Sequence, residues 1–550
     1  MQNPASESSA TARAGERPKR GIAAICLALA AITLIALGLR VWRLGSESAW
    51  WDEVASLKYL DAPTLTAFLQ NERATDPPMT PVYFTIQYYW SRLVGTSVLR
   101  MRLLSVLLGL LTIQMLFMLT RRLYGDTAGL ISSLFLALSL LHIYYSQEIR
   151  VYALVLLLSL ISMYAFIGIL EGGRAGCWAM HLAANLLVVF THLFAILLIA
   201  TQACFLLVCQ RHEKRLTAVW IACHSVIGLF MGAWVLTINT AMLNQAASWM
   251  VKPGLREIGM FWLVFAGGRA SNENPATHLP SGMSLDIPLA ALLLLLILWF
   301  AWKRLVSPPL KGDLGGCTDS RTDTIRVLHP PESPFKGGLA YPLESPFKGG
   351  LACSDRSRLV LLLMWLVIPP AVLCVVSYAA RPCFMYRYVL YSSLPVYMLS
   401  SMAVTSMRSL RMRRTVAVVV ALLYAYQLSA LAAGPFRPDW QSVSRYLETN
   451  ASPDDSILVF QDINLIALEF NSTLPKNQMR HIPVWSELCG PVMAAHTAGR
   501  DVWFVVWMWS DPGKLEACFL SNDLKFSHSD FAGWPNLRVY HLPGDRSVSG

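Results

Sequence analysis

Long apolar runs separated by short polar connections dominate the first 433 positions. A helix needs roughly 20 apolar residues to cross a bilayer. Runs of that order lie near 21–41, 100–120, 127–145, 151–170, 177–190, 193–209, 216–238, 286–304, 358–378, 388–406 and 415–433. The pattern predicts a polytopic helical membrane protein with about eleven spans, in which 177–190 and 193–209 are either two crossings or one kinked helix. Segment 79–95, MTPVYFTIQYYWSRLVG, is also apolar. It is short, follows Pro77-Pro78 and carries Tyr88, Tyr89 and Trp90, which predicts a helix lying in the interface.

Two regions break this pattern. In 307–357, ESPFKGGLAYPL is followed at once by ESPFKGGLA, with SPPLKGDLGG upstream. This Pro- and Gly-rich stretch has little to bury and is expected to be a disordered cytoplasmic insertion. Residues 434–550 are more polar. A helical pattern opens at Pro438-Asp439-Trp440 and runs to about Asn450, and SILVF (456–460), DVWFVVWMW (501–509) and LRVYHL (537–542) have strand character. The order predicts a small α/β domain.

Composition agrees with the membrane reading. Of 550 residues, 55% are hydrophobic and 14% charged, which excludes an ordinary soluble protein of this size. The net charge of +11 could suggest nucleic acid, but Lys and Arg gather at Arg17–Arg20, Arg121-Arg122, Arg174, Arg211–Arg215, Lys303-Arg304 and Arg408–Arg414. All fall on one side if 79–95 does not cross, which is the positive-inside pattern. Residues 1–20 are then a cytoplasmic tail. The first run is full length and leads into Arg40-Val41-Trp42-Arg43, so it reads as an uncleaved anchor rather than a signal peptide. The other side receives the first loop at 42–99 with its interfacial helices, a turn at 146–150, a turn near His192, the loop 239–285, Arg381–Arg387 and everything after 433. The eleven cysteines show no zinc spacing. Cys489 and Cys518 lie in the polar C-terminal region and can pair if that region is outside the cytoplasm.

Candidate chemistry collects on that same side. Trp50-Trp51-Asp52-Glu53 follows the first span. Carboxylates beside a bilayer are costly and mark function, and the tryptophans are expected to place them at the membrane–water boundary. Asp52 reads as a general base with Glu53 as its electrostatic neighbour, against the plainer reading of carboxylates that orient the loop. Glu148 and Arg150, in Tyr145-Ser146-Gln147-Glu148-Ile149-Arg150-Val151-Tyr152, suit a sugar or amine and a phosphate, or else pair locally at helix ends. Arg387, in Arg381-Pro382-Cys383-Phe384-Met385-Tyr386-Arg387-Tyr388, runs against the positive-inside trend and suits a phosphate. His192 near a helix end and Asp76 before Pro77-Pro78 complete the set; their plainer roles are a hydrogen-bonded structural histidine and a helix cap. Spacing assigns no metal ligands, and a divalent metal stays open as an additional component.

Together these motifs resemble the multi-spanning GT-C glycosyltransferases, above all glycosyltransferase family 39 and its bacterial relatives, the protein O-mannosyltransferases and aminoarabinose transferases. The likeness covers 21–240 well and 358–450 loosely. The family carries His where this chain has Asp76, and 307–357 is foreign to its pattern. The resemblance implies a multi-spanning fold over 21–433 in a bacterial inner membrane, with the C-terminal domain periplasmic. It also implies transfer of a sugar from a polyprenyl-phosphate donor to a protein, lipid or glycan acceptor, with no nucleic-acid partner. By the same likeness Asp52 and Glu53 would be catalytic, and Asp76, Glu148, Arg150, Tyr152, His192 and Arg387 would line the substrate site. An oligosaccharide ligase or another lipid-phosphate group transferase is the enzymatic alternative. A lipid-linked sugar flippase is the alternative of another class, although a transporter buries its ionisable groups near the midplane.

Overall fold

The computed structural model describes residues 4–76, 78–173, 175–238, 250, 252–267, 286–305, 355–429, 435, 437–483, 489–507, 512–533 and 536–544. Most of the expected 239–285 loop and nearly all of the 307–357 insertion lie outside the described residues.

Among the described residues, six helices are long and apolar enough to cross a membrane: Ile22–Val41, Val98–Tyr124, Tyr152–Leu170, Lys214–Leu236, Asp286–Leu305 and Asp355–Ala379. Their outer faces carry exposed bulky residues such as Leu27, Leu34, Leu229 and Phe230. Such faces suit lipid, because soluble proteins rarely expose contiguous apolar surface on this scale. The other expected spans are shorter or interrupted. The 177–190 and 193–209 runs form separate helices, Ala175–Val189 and Ile196–Cys209, the second entered by a 3-10 turn at Leu193–Ala195. The 388–406 run starts as an irregular 3-10 stretch, Tyr386–Ser393, and becomes α-helical only over Leu394–Thr405.

The 127–145 run is broken. Helices Asp126–Leu138 and Leu140–Ser146 meet at 67° around Ser139, and count as a seventh span if taken together. A break at membrane depth frees backbone carbonyls that lipid cannot satisfy. Arg40, at the end of the first span, supplies the donors: Nη1 reaches the Ala137 carbonyl at 3.2 Å and the Ala36 carbonyl at 3.3 Å, Nη2 the Leu136 carbonyl at 3.5 Å, and Nε the Ser146 hydroxyl at 3.1 Å. Gln147 returns the favour to the first helix, donating to the Arg40 and Trp42 carbonyls at 3.0 and 2.9 Å.

A buried polar cluster ties four helices together away from that break. Asn185 Nδ2 donates to His224 Nε2 (2.8 Å) and Gln202 Oε1 (3.2 Å) and lies 3.2 Å from His181 Nε2, and Asn185 Oδ1 accepts from the Ser162 hydroxyl at 2.6 Å. Trp220 Nε1 donates to His181 Nε2 at 2.9 Å. The bonds from His181 Nδ1 to the Ser162 carbonyl (3.1 Å) and from His224 Nδ1 to the Trp220 carbonyl (2.8 Å) assign both rings the Nδ1–H tautomer.

After Pro435 the chain builds a five-stranded sheet in the order β2-β1-β3-β5-β4, from β1 (Ser456–Phe460), β2 (Met479–Ile482), β3 (Val502–Trp507), β4 (Ser527–Phe531) and β5 (Leu537–Leu542). β1 is parallel to β2 and β3, while β5 is antiparallel to β3 and β4. Ile457, Val459, Trp503, Val505 and Val539 fill one face and Leu458, Phe460, Phe504, Val506 and Tyr540 the other, the period of two that a strand imposes. β3 is buried along its whole length, so it reads as a continuous apolar run rather than an alternation. Cys489 and Cys518 are joined by a disulfide.

Candidate active site

Asp52 and Glu53 lie in the first turn of a seven-residue helix, Trp51–Leu57, and both are buried. The tryptophans before them, expected at the membrane–water boundary, are covered by protein. Trp50 is 1% exposed, and Trp51 packs against the face of the sheet domain formed by Trp440, Val459 and Trp503. Further bonds seat this segment on the C-terminal domain: Asn471 Nδ2 to the Ala49 carbonyl (2.9 Å), the Gln441 amide to Ser48 Oγ (3.0 Å) and Ser48 Oγ to Asp439 Oδ1 (3.4 Å).

The two carboxylates have different partners. Glu53 is gripped by Arg102, with Nε to Oε1 at 2.9 Å and Nη2 to Oε2 at 2.6 Å. The remaining Arg102 N–H groups go to the carbonyls of Leu44 (2.7 Å), Glu47 (2.9 Å) and Ser48 (3.0 Å), so all five donors of the guanidinium are used. Arg437 Nε lies 3.5 Å from Glu53 Oε2, and the Ile149 amide donates to Oε1 at 3.2 Å. Burial would raise the proton affinity of Glu53, but Arg102 and Arg437 together hold it below the ordinary carboxylate value. Glu53 is therefore an ionised anchor.

Asp52 turns toward the other arginines. Arg387 Nη1 donates to Oδ2 at 3.0 Å, and Arg150 Nη2 lies 3.6 Å from Oδ1. Arg150 Nη2 is also 3.7 Å from Asp76 Oδ2, while its Nη1 donates to the Ser56 hydroxyl at 3.2 Å. Asp76 caps no following helix: it ends Leu65–Thr75, and the next helix, Pro81–Val94, begins at Thr80. The Asp76 side chain keeps 35% of its surface and Arg150 15%, so the cluster reaches the surface on that side.

Aromatic rings wall the arginines. Tyr152 lies 4.8 Å from Tyr145 and 6.1 Å from His192 between ring centroids, and His192 lies 5.5 Å from Tyr388. Tyr388, next to Arg387, stacks on Phe194 at 4.9 Å and 8°. Burial, reinforced by Arg150 and Arg387, pushes the His192 imidazole down to about 3, so it serves as a neutral ring at physiological pH.

Glu148 is the exception among these carboxylates. Both of its oxygens are buried without a hydrogen-bond donor. Burial and the nearby Asp52 and Glu53 charges push it up to about 8, against the pull of Arg437 and Arg150. It holds its proton at neutral pH and can donate a hydrogen bond.

The structure thus brings Asp52, Asp76, Arg150 and Arg387 into one connected cluster, with Tyr152 and His192 in the adjoining wall. Glu148 lies in the field of the same charges, and Glu53 stands behind the cluster, engaged with other arginines. Sequence reading missed Arg102, Arg437 and Glu72. Arg102 opens an apolar run on the side expected to be poor in basic residues, the same signal that marked Arg387. Glu72 is buried, with Oε1 lacking a donor. Among the described residues, no group of three His, Cys, Asp or Glu side chains could hold a metal ion.

No curated protein matches the chain significantly. Among solved structures it is similar to ArnT from Cupriavidus metallidurans bound to undecaprenyl phosphate, at 12% identity and a TM-score of 0.47, covering 94% of this chain and 97% of that one. It is also similar to the Archaeoglobus fulgidus oligosaccharyltransferase in the apo form, at 12% identity and a TM-score of 0.43, covering 92% and 69%. Residues 76–238, which hold Asp76, Glu148, Arg150, Tyr152 and His192, match a family described as dolichyl-phosphate-mannose-protein mannosyltransferase. Over that stretch the chain is similar to a glycosyltransferase family of the kind its motifs resemble.

Proposed function

We propose that this chain is an integral-membrane glycosyltransferase that moves a sugar from a polyprenyl-phosphate-linked donor to an acceptor on the extracytoplasmic side. One observation carries the reading: a buried aspartate, Asp52, lies against two arginines, Arg387 and Arg150, from distant parts of the chain. Phosphate departure builds negative charge that fixed guanidinium groups stabilise, and a hydroxyl acceptor needs a base. The acceptor oxygen forms a bond to the anomeric carbon as the carbon–oxygen bond to phosphate breaks. The phosphate leaves with the electron pair into the field of Arg387 and Arg150, and Asp52 takes the acceptor proton. A single displacement of this kind inverts the anomeric centre.

The match over 76–238 supports the donor class, since the family description names a polyprenyl-phosphate sugar of the dolichyl type. The Cys489–Cys518 disulfide supports the orientation, because such bonds persist in oxidising compartments. The test is transfer of radiolabelled sugar from a purified polyprenyl-phosphate donor by the detergent-solubilised protein. Asp52→Asn is expected to abolish transfer with an unchanged melting profile, and Arg387→Ala to weaken donor binding at least tenfold. Wild-type rates in Asp52→Asn would remove its role as base. Wild-type protein that transfers sugar from no polyprenyl-phosphate donor would overturn the reading.

A further inference from the structure

Arg437 belongs to none of the motifs that suggested a function. It sits where the chain passes from the membrane helices to the sheet domain, three residues before Trp440–Asn450, and it is buried to 2% exposure. Its Nη1 donates to Glu47 Oε2 at 3.1 Å, its Nη2 donates to the Gln147 carbonyl at 3.1 Å, and its Nε faces Glu53 Oε2 at 3.5 Å. The guanidinium also lies 5.1 Å from the centre of the Tyr144 ring.

These contacts reach three separate pieces of the candidate site. Glu47 and Glu53 bracket the Trp50-Trp51-Asp52 corner. Gln147 immediately precedes Glu148, and Tyr144 belongs to the short helix after the break. A buried glutamate with one guanidinium partner is already paired, and Arg102 provides that for Glu53. The second guanidinium adds geometry: a planar fork fixes the direction of each group it binds, which a point charge does not.

We propose that Arg437 is a positioning residue, holding the 47–53 corner and the 147–150 turn in one register so that docking of the sheet domain sets the place of Asp52. This inference rests on the proposed transfer reaction for its kinetic arm alone. The sheet domain is then part of the catalytic scaffold, joined to it by Arg437, Trp51 and Asn471.

The experiment compares the full-length wild-type protein with Arg437→Lys and Arg437→Gln in detergent, by amide hydrogen exchange and by transfer kinetics. In Arg437→Gln, exchange across 47–57 and 147–150 is expected to rise at least tenfold, while exchange within the five strands stays at wild-type rates. Arg437→Lys keeps the charge without the fork and is expected to restore only part of the protection. In the kinetic arm, kcat falls at least tenfold in Arg437→Gln with KM for the donor within twofold of wild type. Unchanged exchange across 47–57 and 147–150 in Arg437→Gln overturns the proposal. So does full recovery by Arg437→Lys, which would reduce the residue to a counter-charge. A rise in exchange spread evenly over the sheet domain also overturns it, by showing general unfolding. Absence of transfer by the wild-type protein counts against the proposed reaction alone and leaves the exchange arm to decide the role of Arg437.

Discussion

Glu148 separates the two ways a carboxylate can be kept beside charged neighbours. Glu53 is ionised because Arg102 and Arg437 surround it, and Glu148 is protonated because burial and the Asp52 charge outweigh the arginines near it. The sign of its pH dependence follows. Its ordinary value of 4.5 is raised to about 8, so between these values the unfolded chain has lost a proton that the folded one keeps. Stability from this group therefore falls across that window and levels off above it. Glu72, also raised to about 8 with burial as the main cause, adds to the same slope. For activity, ionisation of Glu148 adds a further negative charge in the field of Asp52 and of the proposed phosphate site. Transfer should decline above about pH 8, and Glu148→Gln, which stays neutral, should flatten that alkaline limb. A pH–rate profile that is the same for wild type and Glu148→Gln would show that Glu148 does not titrate in the reaction. The acidic doublet was legible in the sequence as a pair, but its division of labour was not. Adjacent residues on a short helix point in different directions, and only the fold shows which arginines each one meets.

At the scale of elements, periodicity located most helices because a span must be long and apolar whatever packs on it. It failed where packing decides the outcome. The 127–145 run has no proline, and its one glycine, Gly129, lies ten residues before the bend at Ser139, so nothing local announces the break; the carbonyls there are met by Arg40, which belongs to another helix. Strands β2 and β4 escaped notice because MRHI and SHSDF are short and polar at the sheet edges, whereas the fully buried β3 stood out. The helix Trp51–Leu57 is too short to be stable alone, so its position is borrowed from its neighbours. Trp51 is the main apolar link from that helix to the sheet domain. Its replacement by Ala should weaken docking by about 1–2 kcal/mol, less than a fully buried large side chain because Trp51 is only partly covered. Limited proteolysis should then cut near 435–440 faster than in wild type while the sheet itself stays resistant. Equal cleavage rates would show that the polar contacts alone suffice.

For the molecule as a whole, the cluster around Asn185 bears on assembly rather than on chemistry. Replacing Asn185 with Leu orphans His224 Nε2 and leaves the Ser162 hydroxyl without its acceptor, although Gln202 Nε2 still donates to it, and a buried polar group without a partner costs about 1–3 kcal/mol. The variant should melt several degrees lower in detergent while its donor affinity stays at the wild-type value; an unchanged melting point would mean the cluster contributes no net stability. The polar groups come from Tyr152–Leu170, Ala175–Val189, Ile196–Cys209 and Lys214–Leu236. None of these helices can satisfy its own side chains by itself. The four helices therefore lock one another in place through this shared polar interior, and removing any one of them would strand buried polar groups on its neighbours.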